Sequence, residues 1–288
     1  MTDSGGFRIV RGMVFVVGAV AIDLVAVRER FLDGTSNPSD IRLGLGGVGY
    51  RIFSGLTTPR KFITALAGDP ISRWARQALE AEGGAAIQAV RDKDARPPLY
   101  LALMESGSLK VGASDFRILE QALSLPFALR EVGEPEPSDF LVLDANLSVP
   151  VLAGLAEEFA SRTRVVFEPV SVEKAARHLA SLRNLFLLTP TVEELDSLCG
   201  ASVRQFMNDR GIRNVIVKKG REGVTLFDDE GQMDFAPSVV VEAPDTTGAG
   251  DLLVASLVSA LHDGEPIRVA VRAAMTVVEQ RLKGGASS

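Results

Sequence analysis

Apolar residues along the chain fall into two patterns. One is the unbroken run: Met13 to Val20, Phe140–Leu143, Val165–Phe167, Leu185–Leu188 and Val215–Val217 are apolar throughout, as strands covered on both faces are. The other is alternation. Ile41, Leu43 and Leu45, and again Leu99, Leu101 and Leu103, place an apolar side chain at every second position, which suits a strand with one wet face. The segment Arg28 to Leu45 holds the turn signals Asp33-Gly34 and Ser36-Asn37-Pro38. The segment Pro97 to Ala113 holds a Glu-Ser-Gly turn before Leu109-Lys-Val. Both segments predict hairpin-like strands that join in one small sheet, a lid beside the main sheet. Further strands are predicted at Val224–Phe227 and Val239–Val241. Helices are predicted at Val149–Ser161, Val172–Leu182, Val192–Leu198, Asp251–His262 and Pro266–Leu282. This regular alternation from Asp139 onward predicts an α/β fold with a mostly parallel central sheet flanked by helices on both faces. Met1 to Gly12, polar and Gly-containing, predict a loose tail, and the whole of 1–288 one domain.

Composition narrows the function classes. A formal net charge of −6 argues against a nucleic-acid partner, because phosphate backbones are held by basic surfaces. It leaves room for one nucleotide, whose phosphates need only a local nest of N–H groups and a metal ion. The single cysteine, Cys199, excludes an intramolecular disulfide and reads as a small hydrophobe in a reducing compartment. Arg8 and Arg11 ahead of an apolar run with Ala19-x-Ala21 have the look of a signal peptide. That run stops at Asp23 and resumes, as a buried strand does. No segment reaches the ~18–20 apolar residues of a membrane helix, so a cytoplasmic protein with no membrane partner is expected. His178 and His262 read as surface helix residues without metal-ligand spacing, and Trp74 and Tyr50 as packing residues.

The string that carries chemistry is Asp245-Thr-Thr-Gly-Ala-Gly-Asp251, followed by Leu-Leu-Val-Ala-Ser-Leu-Val-Ser-Ala-Leu. The second part is apolar nearly all round, hence a buried helix. A Gly-Ala-Gly turn opening such a helix aims unpaired N–H groups at one point, where the helix dipole adds to them; that is an anion site. An Asp in the first helical turn alone could be no more than a complement to the dipole.

In this string the chain resembles the ribokinase-like (PfkB) carbohydrate kinases, whose C-terminal signature Asp245–Asp251 matches. Gly46-Gly47-Val-Gly-Tyr-Arg51 stands where the family has its N-terminal Gly-Gly signature. Leu188-Thr-Pro-Thr-Val-Glu-Glu194 resembles the Asn-x-x-Glu motif, and Val215-Ile-Val-Lys-Lys-Gly-Arg-Glu-Gly-Val224 the nucleotide-side Gly-x-x-Gly hairpin. The resemblance runs over nearly the whole chain, with the motifs in order. Within the family the likeness is closest to pseudouridine kinases. It rests on Ser36-Asn37-Pro38, Gly46-Gly47-Val48-Gly49, Tyr100-Leu-Ala-Leu-Met-Glu-Ser-Gly, Ala113-Ser-Asp115, Asp144-Ala-Asn146 and Glu168-Pro-Val-Ser-Val-Glu-Lys174.

The resemblance implies an ATP-dependent kinase acting on a hydroxyl of a sugar or nucleoside, pseudouridine first. Asp251 would be the base, and the N–H groups of Gly248, Ala249 and Gly250 would hold the developing charge. Glu194 would orient Mg²⁺-bound water, and Asp245 and Thr247 would line a K⁺ loop. Thr191, Lys218, Gly220 and Gly223 would face the nucleotide. Asp23, at the end of the first strand, would bind the acceptor with Gly46, Gly47 and Arg51, and Asp115 in the lid would reach the base or ribose. Relatives also pair through their lids, which implies a homodimer.

Three positions depart from the pattern: Arg51 and Thr191 stand where the family has Asn, and Lys218 where a small hydroxyl residue is common. Arg51 cannot accept a hydrogen bond as Asn can. Lys218 either touches a phosphate or is a solvated strand-end residue, and the surface preference of Lys favours the second. Two rival readings remain. Gly44-Leu-Gly46-Gly-Val-Gly49, with Asp69 twenty residues beyond, has dinucleotide-binding spacing but lacks the buried strand in front. A sugar-binding relative without turnover is the other.

Overall fold

The protein was analysed as a computed structural model that describes residues 12–90, 92, 94–180, 183–200, 202–239 and 246–285. β1 (Val14–Val17) leads into β2 (Ala21–Arg28), β3 (Asp40–Gly46) and α1 (Val48–Gly55). Then come β4 (Arg60–Ala67), α2 (Pro70–Glu82), β5 (Ala85–Val90), β6 (Leu99–Glu105) and β7 (Ser108–Asp115). Two helices, α3 (Arg117–Ala122) and α4 (Leu125–Val132), precede the alternation of β8 (Phe140–Asp144), α5 (Val149–Phe159), β9 (Arg164–Glu168), α6 (Val172–Leu179) and β10 (Leu187–Leu188). The chain ends with α7 (Val192–Leu198), α8 (Val203–Arg210), β11 (Asn214–Lys218), β12 (Val224–Asp228), β13 (Gly231–Phe235), α9 (Ala249–His262) and α10 (Ile267–Gly285).

Nine strands form one sheet in the order β13-β12-β11-β10-β9-β8-β1-β4-β5. Pairing is parallel from β11 to β5 and antiparallel at the β11–β12–β13 edge. Side chains alternate across this sheet into two cores. Phe15, Val17, Leu141, Leu143, Val165 and Phe167 meet the helices α3 to α8. Val14, Val16, Phe140, Val142 and Val166 meet α1, α2, α9 and α10. Helices on both faces explain why these strands are apolar at every position.

The two alternating segments do form a second sheet, ordered β3-β2-β6-β7. The β2–β6 pair is parallel and the outer pairs antiparallel. Its first strand starts earlier than expected: Asp23 is the third residue of β2 and belongs to the second sheet, not to the end of β1.

Several local expectations change. β10 is shorter than Leu185–Leu188, and α6 ends at Leu179. The strand expected at Val239–Val241 falls outside the described residues except Val239, which lies in a bend, and most of the expected tail falls outside them as well. α8 and β13 had no sequence signal strong enough to place them. His178 and His262 are buried, His178 completely, and Trp74 is exposed. The His178 Nε2 lies 3.1 Å from the Ala145 carbonyl. Among the described residues no helix is long and apolar enough to cross a membrane.

Candidate active site

Four residues at the carboxyl ends of parallel strands converge: Asp144 closes β8, Glu168 closes β9, Thr189 follows β10 and Lys218 closes β11. Such strand ends form the crevice where open α/β sheets bind ligands. The N-terminus of α9 enters the same crevice. Its N-cap, Gly248, has φ 78°, a left-handed conformation that glycine takes at little cost. A Cβ placed on Gly250 would lie 3.6 Å from Lys218 Cδ, an ordinary contact, so the lysine chain passes beside the turn. The Ala249 N–H donates to the Thr246 carbonyl. Of the three donors expected from sequence, the Ala249 N–H is thus engaged in closing the turn.

Asp251 stands in the first turn of α9. Burial pushes its carboxyl up to about 7, and the negative charges of Glu168 and Asp144 add to the effect. Lys218 and Arg51 oppose it. The carboxyl therefore lies between two cations, Arg51 on one side and Lys218 on the other.

On the first side, Arg51 Nη2 donates to Asp23 Oδ2 at 2.8 Å, and Arg51 Nη1 lies 4.0 Å from Asp251 Oδ2. Asp23 is buried and its carboxyl is raised by desolvation, with Arg51 pulling the other way. Its Oδ1 is buried without a hydrogen-bond partner among the described residues, an unmet acceptor of the kind that buried polar groups rarely leave. Gly46 and Gly47 have local reasons to be glycine. A Cβ on Gly46 would collide with the Asp23 carboxylate, and Gly47 has φ 88°. Asp115 is not brought to this group. Its carboxylate pairs with Arg117, and the pairing Asp115–Leu99–Ile22 sets it on the sheet face opposite Asp23.

On the other side, a cleft of about 470 Å³ is lined by Lys218, Gly220, Gly223, Gly250, Leu253 and Met275, among others. Lys218 is not the solvated residue the sequence favoured: its side chain is 13% exposed, and its Nζ donates to both oxygens of Glu168 at 2.7 and 2.8 Å. Glu168 also accepts from the Thr189 hydroxyl at 2.6 Å. Gly220 (φ 58°) has open space where a Cβ would go, whereas a Cβ on Gly223 would collide with the Phe235 carbonyl. Gly223 is thus required by the hairpin backbone, not by a ligand. Thr191 is not among the cleft-lining residues. It caps α7, accepting from Glu194 N at 3.3 Å while Glu194 Oε2 accepts from Thr191 N at 2.8 Å, a capping box. Burial raises the Glu194 carboxyl, and the Glu168 charge adds to it.

Sequence reasoning gave no separate role to Glu168 or Asp144. Both end an apolar run with a carboxylate, which in a parallel sheet is a signal for the crevice. Asp144 is wholly buried: its Oδ2 accepts from Ala19 N and Gly49 N at 2.8 and 3.0 Å, and its Oδ1 from Asn146 N at 2.9 Å. It ties the end of β1 to the start of α1. Asp69, the acid of the dinucleotide-binding reading, accepts from Ile71 N and Ser72 N as the cap of α2, and Gly44 and Gly46 lie in β3 of the second sheet. That rival therefore fails. Asp245 lies outside the described residues, and Thr247 is exposed in the turn before Gly248.

Residues 11–283 match the model of the pfkB family carbohydrate kinases. The chain belongs to this family. As a PfkB kinase it is 24% identical over 273 residues to the pseudouridine kinase of Escherichia coli (strain K12), covering 90% of this chain and 87% of that one. The bifunctional protein HldE of Rhodospirillum rubrum is 32% identical over 116 residues, 37% of this chain and 23% of that protein. Among solved structures, a carbohydrate kinase from Agrobacterium tumefaciens superposes with TM-score 0.77 at 25% identity, covering 92% of this chain and 89% of that one. Arabidopsis thaliana ribokinase, solved with ribose and ATP, shares the fold with TM-score 0.74 at 19% identity, covering 94% and 92%. PfkB carbohydrate kinases are phosphotransferases.

Proposed function

We propose that the chain transfers the γ-phosphoryl group of ATP to a hydroxyl of a sugar or nucleoside, with Asp251 as the base. The observation that carries this reading is the place of Asp251: a carboxyl titrating near 7 stands at an anion-binding helix start, with a cleft on one side and a buried, half-satisfied Asp23 on the other. A base serves best when its pKa lies near the working pH. The acceptor hydroxyl gives its proton to Asp251 as its oxygen bonds to the γ-phosphorus, and the bond to the bridging oxygen breaks to leave ADP. The N–H groups of Gly248 and Gly250 face the charge that spreads over the transferred group. Asp23 and Arg51 orient the acceptor. Gly220, with Leu253 and Met275 beyond it, accommodates the nucleotide.

No group of three or more His, Cys, Asp or Glu among the described residues could hold a metal. Glu168 and Glu194 nonetheless supply carboxylates beside the cleft, with most of their oxygens already engaged. That donor set fits a magnesium ion that arrives on the nucleotide and keeps its waters; when bound, the ion neutralises phosphate charge. Thr247, with Asp245, is where K⁺ would bind. A second copy would pair through the lid, where Ile41, Leu43, Leu101 and Val111 share one exposed face by register.

Pseudouridine is the acceptor we favour, on the likeness in Ser36-Asn37-Pro38, Gly47-Val48-Gly49 and Glu168–Lys174, supported by the full-length match to a pseudouridine kinase. Polar sites reject analogues that leave their hydrogen bonds unmade. ATP consumption with pseudouridine, uridine, ribose and a sugar acid, side by side, tests it. Turnover highest with pseudouridine is expected. Turnover of ribose or the sugar acid alone would keep the kinase and discard the acceptor, and no turnover of any acceptor would count against the kinase reading itself.

A further inference from the structure

We infer that Lys218 is a catalytic residue whose ammonium group, held by Glu168, contacts the phosphoryl group during transfer. This rests on the kinase reading above and goes beyond it. Lys218 closes β11 at the junction of the nucleotide cleft and the glycine turn: it lines the cleft, and a Cβ on Gly250 would fall 3.9 Å from its Nζ. A nucleotide in the cleft with its phosphates toward Gly248–Gly250 brings its outermost phosphate to that junction.

The ion pair with Glu168 is poorly explained by stability. Glu168 is 3% exposed and the lysine side chain 13%, and buried pairs commonly do no better for folding than apolar residues of the same size. They do fix a charge in place. Two of the three ammonium donors go to the Glu168 oxygens, and Thr189 holds the carboxylate in turn. The third donor is left for a phosphate oxygen. As the γ-phosphorus moves from the bridging oxygen to the acceptor oxygen, the electron pair of the broken bond stays on the β-phosphate of ADP and the proton goes to Asp251. A cation already in position lowers the energy of that charge without reorganising. Lys218 stands on the donor side of Gly250, and Arg51 on the acceptor side, with its Cδ 3.5 Å from where a Cβ on Gly248 would be.

The alternative is that Lys218 only neutralises Glu168, and three variants separate the two. Lys218→Met leaves Glu168 buried and unpaired and is expected to fold poorly; the double variant Lys218→Met/Glu168→Gln removes both charges, and Glu168→Gln alone, which keeps the lysine, is its reference, because Glu168 also stands beside the nucleotide's magnesium. If Lys218 contacts phosphate, the double variant unfolds near the temperature of Glu168→Gln, binds ADP as Glu168→Gln does, and loses about a further 10²–10³-fold in kcat, the loss seen when one positioned donor is removed from a developing charge. It also binds ATP more weakly relative to ADP than Glu168→Gln does, measured by calorimetry without acceptor. A double variant with the kcat of Glu168→Gln, or with the same ATP-against-ADP ratio, overturns the inference. If wild type turns over no acceptor, the kinase reading fails on that count while the ATP-against-ADP comparison still decides Lys218. Wild type that binds neither nucleotide would sink both.

Discussion

Every residue of β1 and β8 in the nine-stranded sheet is buried, whereas β7 of the four-stranded sheet exposes all but its last residue. The large sheet is clamped between two helical layers and carries Glu168 and Lys218 on its strand ends, with Asp251 on a helix packed against it. The small sheet exposes most of β3 and β7 and carries Asp23 and Gly46, with Gly47 just beyond it. On the proposed function, the groups that act on phosphate rest on the large sheet and its helices. Of those that select the acceptor, Asp23 rests on the small sheet and Arg51 on α1, which packs against the large one. Selectivity would then be shared between the two supports and chemistry confined to one, and substitutions in the two should have different signatures.

The largest effect is expected at Asp251. Asp251→Asn should reduce kcat by about 10²–10⁴-fold, the usual contribution of a positioned base, with ATP affinity nearly unchanged. Steady-state kinetics beside ATP titration checks this, and wild-type turnover in the variant would remove the central assignment. Next comes stability. Phe140→Ala empties a fully buried site between the layers and should destabilise by ~3–5 kcal/mol. Leu43→Ser, on the exposed face of the small sheet, should stay within about 0.5 kcal/mol in the isolated protein. Denaturant unfolding of both variants measures the contrast; equal losses would mean that the small sheet is as tightly packed as the large one.

How much of this the sequence shows follows the same division. Continuous apolar runs placed β8, β9 and β11 within a residue or two, because a strand covered on both faces leaves no polar position to blur its limits. The Asp245–Asp251 string located the helix start, because only glycine there suits the left-handed turn at Gly248. The sequence could not show which donor in that turn was already used, since the Ala249–Thr246 bond depends on the turn's exact path. Nor could it show that Lys218 is buried. A lysine at a strand end looks solvated until the carboxylate opposite, fifty positions earlier at Glu168, is brought beside it. Asp115 was misplaced for a related reason. Its place in the lid was legible, but the face it takes is set by register with β6. The histidines were misread because a helix face is surface or core only according to what packs on it, and His178 faces Phe167.

A smaller effect is expected on the acceptor side. Arg51→Asn removes the guanidinium from Asp23 and from the edge of Asp251. It should raise the acceptor KM about 10-fold, the worth of one charge-assisted hydrogen bond of ~1.5 kcal/mol, while the KM for ATP holds. An equal rise in both constants would erase the division between acceptor and donor sides.

The most specific effect is in pH. Asp251 is held near 7 in the folded protein, burial being the first cause, while an unfolded Asp titrates near ~3.9. Between those values the folded state keeps a proton that the unfolded chain has released. Stability contributed by this group is therefore greatest at low pH, falls as pH rises from about 4 to about 7, and is flat above, where both states are ionised. Activity runs the opposite way, because the base works only when ionised: kcat/KM should climb through pH 6 and level off above about 7. Asp251→Asn lacks the titration altogether, so its stability relative to wild type should grow between pH 5 and pH 8. Other buried carboxyls, Asp144 and Glu194 among them, are raised as well, but they are common to both proteins and drop out of the difference. Thermal unfolding of the two proteins at pH 5 and pH 8, with wild-type kcat/KM over the same range, measures both halves. A pH-independent stability difference, or activity flat from pH 5 to pH 8, would mean that Asp251 is more open to water than its place behind Arg51 and Lys218 suggests, and that the large sheet does not shield the base.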